Sequence, residues 1–435
     1  MTMSRAFRSL RWVGHAILLG AAVGVLCGTA SALFLWLLEH VTATRMAHPG
    51  LVFLLPLAGL GIGEVYGRIG ESVRTGNNLV LERVHGLGPR LPRRMAPLVL
   101  VGTLLTHLFG GSAGREGTAV QMGSSLADSL SHALGCDGET RRRLLGAGMA
   151  GGFGSVFGTP IAGCVFGMEV ATVGHLDGRA FVPALTAALV GDAVTRGFGV
   201  GHTHFPPVAA LPLGPLAAAK WLALSLAVAL CVRLFVGLTE AIKRQLGTRI
   251  PRLSLRMALG GALVLLGYLA LGSDAYLGLG VHGILRAFED PSLSPLAFLL
   301  KLLFTAVTLG TGFMGGEVTP LFFVGACLGN TLGQALDLPL SLAAAVTLAA
   351  TFGAAANTPL ALSIMAAELF GVHVLPHTML VAVVAYALTG ERGIYVAQRV
   401  LTTKRGASLD RPTPLCDLPP GGAHPTNAPN REPPP

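Results

Sequence analysis

Two short motifs place a glutamate after glycine inside otherwise apolar stretches of the chain. The first is Gly114-Arg-Glu-Gly-Thr118 and the second is Gly315-Gly-Glu-Val-Thr319, with Glu116 and Glu317 lying 201 residues apart. A carboxylate in lipid is costly, so acidic residues in such segments are expected to bind ions or to move protons. The alternative is a structural ion pair with a basic neighbour, which for Glu116 would be Arg115.

A second pair of motifs repeats in the same order. Gly158-Thr-Pro-Ile-Ala162 is matched by Asn357-Thr-Pro-Leu-Ala361, and in each case a glutamate follows nine residues after the proline, Glu169 and Glu368. Two motif pairs at nearly one offset, 201 and 199 residues, indicate a duplicated unit. The sequence leaves open whether these two glutamates serve structure or function.

The composition requires that these motifs lie in a membrane. Only 12% of the 435 residues are charged, 52% are hydrophobic and the mean hydropathy is +0.64. So few polar residues cannot cover the surface of soluble domains, which excludes a cytosolic enzyme, a disordered protein and a disulfide-rich secreted scaffold. We predict a polytopic membrane protein. Its first span is Trp12 to Leu38, a run of 27 uncharged residues that is too long for a signal peptide.

Many of the apolar stretches are too short or too interrupted for simple spanning helices, which need about 20 residues. Leu144 to Met168 contains Pro160, and Leu338 to Ala367 is broken at Asn357. Such breaks predict an all-α fold with half-helices that meet inside the membrane, where the free N–H groups of helix N-termini attract anions. A cation transporter would use helix C-termini and carboxylates instead, and the periodicity does not decide between the two.

The basic residues predict the topology. They cluster between apolar runs, and short basic loops face the cytoplasm. Both termini are therefore expected in the cytoplasm. The net charge of +9 is dispersed among the spans, so nucleic-acid binding is not expected. From residue 402 onward the chain is rich in proline, which predicts a disordered tail.

Three glycine-led motifs stand at expected helix starts, and with them the sequence resembles a known family. They are Gly76-Asn-Asn-Leu79, Gly114-Arg-Glu-Gly-Thr118 and Gly315-Gly-Glu-Val-Thr-Pro320. Over roughly residues 12 to 400 the chain resembles the chloride channel and transporter (CLC) superfamily, most closely its fluoride/proton antiporter branch. Chloride members typically read Gly-Ser-Gly-Ile-Pro at the first motif. They also tend to have apolar residues at the positions of Glu317 and Val318, and Pro at that of Thr118.

The resemblance implies a role for each matching residue. Asn77 would be the central anion-selecting residue, Glu116 the gating glutamate, Glu317 a second glutamate of the pathway and Tyr395 the central tyrosine. Glu116 and Glu317 would couple anion movement to protons. The expected anion-binding residues are Asn77, Asn78, Arg115, Gly117, Thr118, Val318, Thr319 and Tyr395.

The resemblance also implies a fold and an activity. The fold would be CLC-like, with two inverted repeats of broken, re-entrant helices at residues 12–212 and 213–401. A basic N-terminus at 1–11 and the tail at 402–435 would flank them. The protein would not be an enzyme. It would be a homodimer in a bacterial inner membrane that exports fluoride in exchange for protons and needs no cofactor or metal. A chloride/proton antiporter or a voltage-gated-type chloride channel is the alternative.

Three further possibilities bear on the chemistry. Chloride/proton exchangers of the family often carry two successive acidic residues, but here Glu169 is followed by Val170, so protons would need another route, such as Glu317. An intramembrane hydrolase would have to use Ser112 with His107, whose spacing does not put them on one helix face. We interpret His107 as a packing residue, and a scaffold protein would not need carboxylates in both repeats.

Overall fold

In the computed structural model, residues 2–418 are described, with the backbone alone described for residues 2–10. In this part the chain forms sixteen α-helices, and a two-stranded hairpin follows them. The helices are α1 Thr2–Ala47, α2 Leu55–Ile69, α3 Asn77–Val84, α4 Met95–Leu108, α5 Glu116–Ala133, α6 Gly138–Phe157, α7 Pro160–Glu169, α8 Phe181–Gly197, α9 Pro215–Arg249, α10 Leu253–Leu271, α11 Val281–Glu289, α12 Ala297–Gly310, α13 Val318–Ala335, α14 Leu340–Ala356, α15 Pro359–Phe370 and α16 Leu375–Thr389. The strands are β1 Arg399–Thr402 and β2 Ser408–Pro414.

The helices fall into two series of eight, α1–α8 and α9–α16, whose members correspond in order. Helices α4 and α12 have 14 residues each, and α5 and α13 have 18 each. The order of the elements therefore agrees with a duplicated unit. The predicted boundary at residues 212 and 213 falls in the connection that precedes α9.

Few of the helices are long enough to cross a membrane. By length and composition five segments of the described chain could do so, whereas four further apolar helices have only 10 to 17 residues. The long segments are Arg11–Ala47, Pro49–Ile69, Pro215–Arg249, Leu253–Leu271 and Val372–Thr389. Two helices end where the next residue takes a left-handed conformation: α6 at Gly158 (φ +73°) and α14 at Asn357 (φ +56°). Both breaks were expected from the glycine and proline pattern.

Small residues let neighbouring helices pack closely. A Cβ atom on Gly123 of α5 would lie 2.5 Å from the carbonyl oxygen of Gly148 on α6. Close backbone approach of this kind is how helices associate in lipid, where no hydrophobic drive acts between them. Part of the high glycine content is therefore explained by packing.

The C-terminal segment differs from the expectation. Strands β1 and β2 pair antiparallel, and the turn between them carries Lys404. Its ammonium donates to Asn357 Oδ1 at 2.6 Å and to the Tyr386 carbonyl at 2.9 Å, and lies 4.0 Å from the centre of the Tyr386 ring. The prediction of disorder from residue 402 is therefore wrong for residues 402–418, because the half-buried Lys404 side chain anchors the hairpin. Residues 419–435 lie outside the described part.

Candidate functional site

Three helices begin at the glycine-led motifs. Helix α3 begins at Asn77, α5 at Glu116 and α13 at Val318. Gly76, with φ +57°, turns the chain into α3. The motifs were expected at helix starts, and the structure confirms this.

A backbone bridge joins the starts of α5 and α13. Gly114 N–H donates to the Gly316 carbonyl at 2.6 Å, and Gly316 N–H donates back to the Gly114 carbonyl at 2.9 Å. A Cβ atom on Gly316 would lie 2.8 Å from the Gly117 nitrogen, so only glycine fits. The two glycines belong to equivalent motifs, and such reciprocal bonds are what a pseudo-two-fold relation between the repeats produces.

The Glu116 carboxylate lies across this bridge and is fully buried. The Thr319 hydroxyl donates to Oε1 at 2.5 Å, and Oε2 accepts from the backbone N–H groups of Thr319 (3.2 Å) and Arg115 (3.1 Å). The Arg115 guanidinium nitrogen Nε lies 3.4 Å from Oε1. A carboxylate thus occupies the N-terminal ends of both α5 and α13, where the helix dipoles favour an anion.

Two cavities are lined by residues of the three helix starts. An outer pocket of about 20 Å³ is lined by Arg115, Glu116 and Thr319. An inner cavity of about 220 Å³ is lined by Asn77, Glu317 and other residues that include Tyr395 and Lys243. The two have no described lining residue in common, and Glu116 lines the outer pocket but not the inner cavity.

Asn77 and Glu317 both line the inner cavity, and each has side-chain polar atoms that other described residues do not engage. The Asn77 Oδ1 atom is buried without a hydrogen-bond partner, and its amide nitrogen lies 3.1 Å from where a Cβ on Gly117 would be. Asn77 therefore does not cap α3 and is free to bind a ligand. Glu317 forms no ion pair within the described chain, although Lys243 lies close enough to interact electrostatically.

Tyr395 is buried beside the same cavity. Only 3% of it is exposed, and both Glu116 and Glu317 lie near enough to its phenol to interact electrostatically. The segment that carries it is tied down, since Asn78 Oδ1 accepts from the backbone N–H of Ala397 at 3.0 Å. The side chain of Asn78 thus supports the Tyr395 segment.

The remaining predicted residues have other surroundings. The Thr118 hydroxyl hydrogen-bonds the Thr103 hydroxyl on α4 at 2.7 Å and is not among the groups that hydrogen-bond the Glu116 carboxylate. Val318 is buried at the first turn of α13, and its backbone is the only part of it that can contribute polar groups to the site. Thr118 is thus placed in helix packing, whereas Gly117, Arg115 and Thr319 lie at the Glu116 carboxylate or its backbone.

The two other repeat glutamates form reciprocal caps. Glu169, at the end of α7, accepts from the N–H groups of Leu360 (3.1 Å) and Ala361 (2.8 Å) at the start of α15. Glu368 on α15 accepts in turn from Ile161 (3.0 Å) and Ala162 (2.7 Å) at the start of α7. Each carboxylate therefore satisfies two free N–H groups of the equivalent helix in the other repeat.

Sequence reasoning missed the other seven residues that line the outer pocket, Thr203 and Phe205 among them. Thr203 and Phe205 line it from the connection between α8 and α9. This connection has no helical periodicity, so nothing in its pattern indicated a site.

Ser112 hydrogen-bonds Thr305 at 2.9 Å and forms no bond to His107, so these two do not form a nucleophile–base pair. No group of three or more His, Cys, Asp or Glu side chains suited to a metal occurs in residues 11–418.

Comparisons with known proteins show which family and which fold the chain resembles. A family model described as voltage gated chloride channel matches residues 58–390. A chloride/fluoride channel protein of Pseudomonas syringae pv. tomato is 42% identical, covering 94% of this chain and 92% of that protein. The crystal structure of a CLC-type fluoride/proton antiporter matches with a TM-score of 0.86 at 34% identity, covering 89% of this chain and 98% of that one. A slow cyanobacterial Cl⁻/H⁺ antiporter matches at 18% identity with a TM-score of 0.76, covering 86% and 94%, which shows the fold alone.

Proposed function

The chain belongs to the voltage-gated chloride channel family, and we propose that it exports fluoride in exchange for protons. The observation that carries the proposal is the Glu116 carboxylate, held by the starts of α5 and α13 at the outer pocket. While the carboxylate is there, no anion can take its place. When it is protonated it loses its charge and its hold on the N–H groups, and an anion can enter.

Fluoride is supported by the donors at the site and by two similar proteins. Fluoride is smaller and more strongly hydrated than chloride, so a dry site must replace strong hydrogen bonds. The Asn77 amide, the Tyr395 hydroxyl and the Thr319 hydroxyl can supply them beside the helix N-termini. The similar Pseudomonas protein is named for both chloride and fluoride, and the antiporter of the 34% identical structure is a fluoride/proton exchanger.

We propose that Glu317 carries protons between the inner cavity and Glu116. Glu317 faces the cavity without an ion-pair partner in the described chain, and Tyr395 lies near both glutamates. Glu169 is bound to two backbone N–H groups of α15, which supports a structural role for it in place of a proton route.

Chloride/proton exchange is the second candidate, and a passive channel is the third. In this proposal Asn77 and Glu317, which are half-buried side chains of the inner cavity, favour fluoride over chloride. Glu116 favours coupled exchange over a passive pore.

We further propose a homodimer in a bacterial inner membrane with both termini in the cytoplasm. The dispersed basic loops support this orientation. The mass of the purified protein in detergent, measured by light scattering, tests the dimer.

Flux from liposomes tests the function directly. Purified protein is reconstituted, and fluoride-selective, chloride-selective and pH electrodes follow efflux and proton uptake. The proposal expects fluoride efflux far faster than chloride efflux, accompanied by proton uptake. Asn77→Ala should reduce this preference, while Asn330→Ala, which alters a buried asparagine bonded to the Ala287 and Asp290 carbonyls, serves as the matched control. Equal fluoride and chloride fluxes in the unmodified protein would refute the selectivity, and fluoride flux without proton uptake would refute exchange.

A further inference from the structure

A second cavity, of about 620 Å³, lies beside the inner cavity at the end of α16. One face of α9 forms a wall of it through Arg233, Gly237 and Arg244, which are spaced by four and seven residues. Opposite this wall stand Arg392, just after α16, and Arg405 in the hairpin turn. We call this space the arginine cavity. Its volume lies in the range of about 300–1,000 Å³ that small-molecule sites occupy.

The lining of the arginine cavity has more basic than acidic side chains, with four arginines and two glutamates, Glu240 and Glu391. Elsewhere in the described chain, arginines such as Arg196 and Arg286 pair with a carboxylate four residues further along the chain or back from them.

Arg233, Arg244 and Arg392 form no such pair with any described residue. Glu391 forms no ion pair with these three arginines: one of its oxygens accepts from the Lys404 backbone N–H at 2.6 Å, and the other is buried without a hydrogen-bond partner.

One of these guanidinium groups reaches the wall formed by α9. The Arg392 nitrogen Nη1 lies 3.9 Å from where a Cβ on Gly237 would be, an ordinary van der Waals distance. Arg392 therefore lies against α9 at the level of Gly237, between Arg233 and Arg244 along the helix. Guanidinium groups gathered around one space are suited to phosphate, whose oxygens accept two parallel hydrogen bonds from each fork.

The arginine cavity is mechanically connected to the Tyr395 segment. The Arg392 carbonyl accepts from Asn357 Nδ2 at 3.2 Å, and two residues later Ile394 N–H donates to the Ala355 carbonyl at 2.9 Å. Asn357 also accepts from Lys404 of the hairpin. The hairpin, the end of α14 and the Tyr395 segment therefore form one hydrogen-bonded unit, and Arg392 and Arg405 stand on its cavity side.

We propose that the arginine cavity binds a multiply charged, phosphate-bearing anion, the headgroup of an acidic lipid or a soluble polyphosphate. The ligand bridges α9 to Arg392 and the hairpin. Occupancy therefore holds the hairpin and the Tyr395 segment in the arrangement seen here.

Binding to the full-length protein tests this without any transport measurement. Inorganic tripolyphosphate is titrated calorimetrically into purified protein in neutral detergent. In a second arm, the protein is placed in phosphatidylcholine vesicles with or without phosphatidic acid, and hydrogen exchange of residues 399–418 is measured. Both arms use Arg233→Gln and Arg392→Gln. Arg249→Gln is the matched control, since Arg249 is an exposed arginine on α9 outside the cavity.

The two arms separate the sources of the ligand. Tripolyphosphate binding that weakens about tenfold or more in Arg233→Gln and Arg392→Gln, but not in Arg249→Gln, supports a soluble ligand. Slower exchange of the hairpin only in vesicles with phosphatidic acid, lost in the same two variants, supports a lipid headgroup. Equal weakening in Arg249→Gln would reduce the effect to diffuse surface charge and overturn the proposal. No response to either probe would also overturn it. Melting curves of each variant identify any loss of folding, and a variant that fails to fold is replaced by Arg244→Gln.

Discussion

The reciprocal caps of Glu169 and Glu368 predict that Glu169→Gln lowers the free energy of unfolding but leaves proton-coupled fluoride transport unchanged. In the structure each oxygen of Glu169 accepts from one N–H at the start of α15. A glutamine keeps one acceptor oxygen but turns an NH₂ group towards the other N–H. One hydrogen bond is then lost, and a buried helix N-terminus has an unsatisfied donor.

The magnitude follows from these contacts. A hydrogen bond to a charged acceptor contributes about 1.5–3 kcal/mol, and a carboxylate at a helix N-terminus contributes up to about 1 kcal/mol more. Glu169→Gln should therefore lower the free energy of unfolding by about 3 kcal/mol. Glu368 is only half-buried, so Glu368→Gln should cost less, about 2 kcal/mol.

Thermal unfolding in detergent, followed by tryptophan fluorescence, measures the loss. Glu39→Gln is the control, since Glu39 is exposed on α1 and the same chemical change there should leave the melting temperature unaltered. In liposomes the folded Glu169→Gln protein should transport as many protons per fluoride ion as the unmodified protein. A normal melting temperature with proton coupling abolished would refute the structural role and make Glu169 part of the proton route.

Three further predictions concern the packing of the site, a buried ion pair and the hairpin. Gly117→Ala places a Cβ 3.1 Å from the Asn77 amide nitrogen, and we expect fluoride efflux from liposomes to fall several-fold. Asp128→Asn breaks a buried ion pair with Arg141, 2.5 Å long, and should cost about 3 kcal/mol in thermal unfolding. Burial lowers the pKa of Lys404 from its ordinary 10.5 to about 7. Between these pH values the unfolded chain binds more protons than the folded chain, so the free energy that holds the hairpin in place should increase as the pH rises from 7 to 10.5. Hydrogen exchange of the hairpin, corrected for the intrinsic exchange rates, measures this change.

Each of these has a control within the chain. Gly61→Ala adds a Cβ that meets nothing within 4 Å, and an equal loss of flux there would contradict the packing argument. Asp192→Asn removes a more exposed ion pair with Arg196 and should cost no more than about 1 kcal/mol. In Lys404→Met the pH dependence of hairpin exchange should vanish, and its persistence would assign the effect to another group.

The sequence predicted the helix starts of the site because each has a local signal. Glycine followed by Asn77, Glu116 or Glu317 in an apolar setting indicates both a break and a costly polar group. The repeat showed which residues are equivalent, since the spacing is nearly constant.

What the sequence could not supply is the contact that each equivalent residue makes. Glu169 and Glu368 are equivalent by position, but only the folded chain shows that each caps the other repeat. Thr118 and Thr319 also hold matching positions, yet one packs against Thr103 and the other holds Glu116. Such differences arise from the neighbouring helices, which the motif itself does not specify.

The C-terminal hairpin shows the limit of composition. A proline-rich stretch with few aliphatic side chains predicts disorder because it cannot bury enough apolar surface. Here a single lysine reaches a site made by α14 and α16, and the strands pair above it. An anchor supplied by distant helices leaves no signal in the segment that it holds.

The most direct test of exchange gated by Glu116 is proton uptake by liposomes that carry Glu116→Gln. Glutamine keeps the size of the side chain but can neither be a carboxylate at the ends of α5 and α13 nor release and bind a proton. Fluoride efflux from the unmodified protein should be accompanied by proton uptake, and in the variant uptake should be abolished. Proton uptake that continues in step with fluoride efflux in Glu116→Gln would contradict the account.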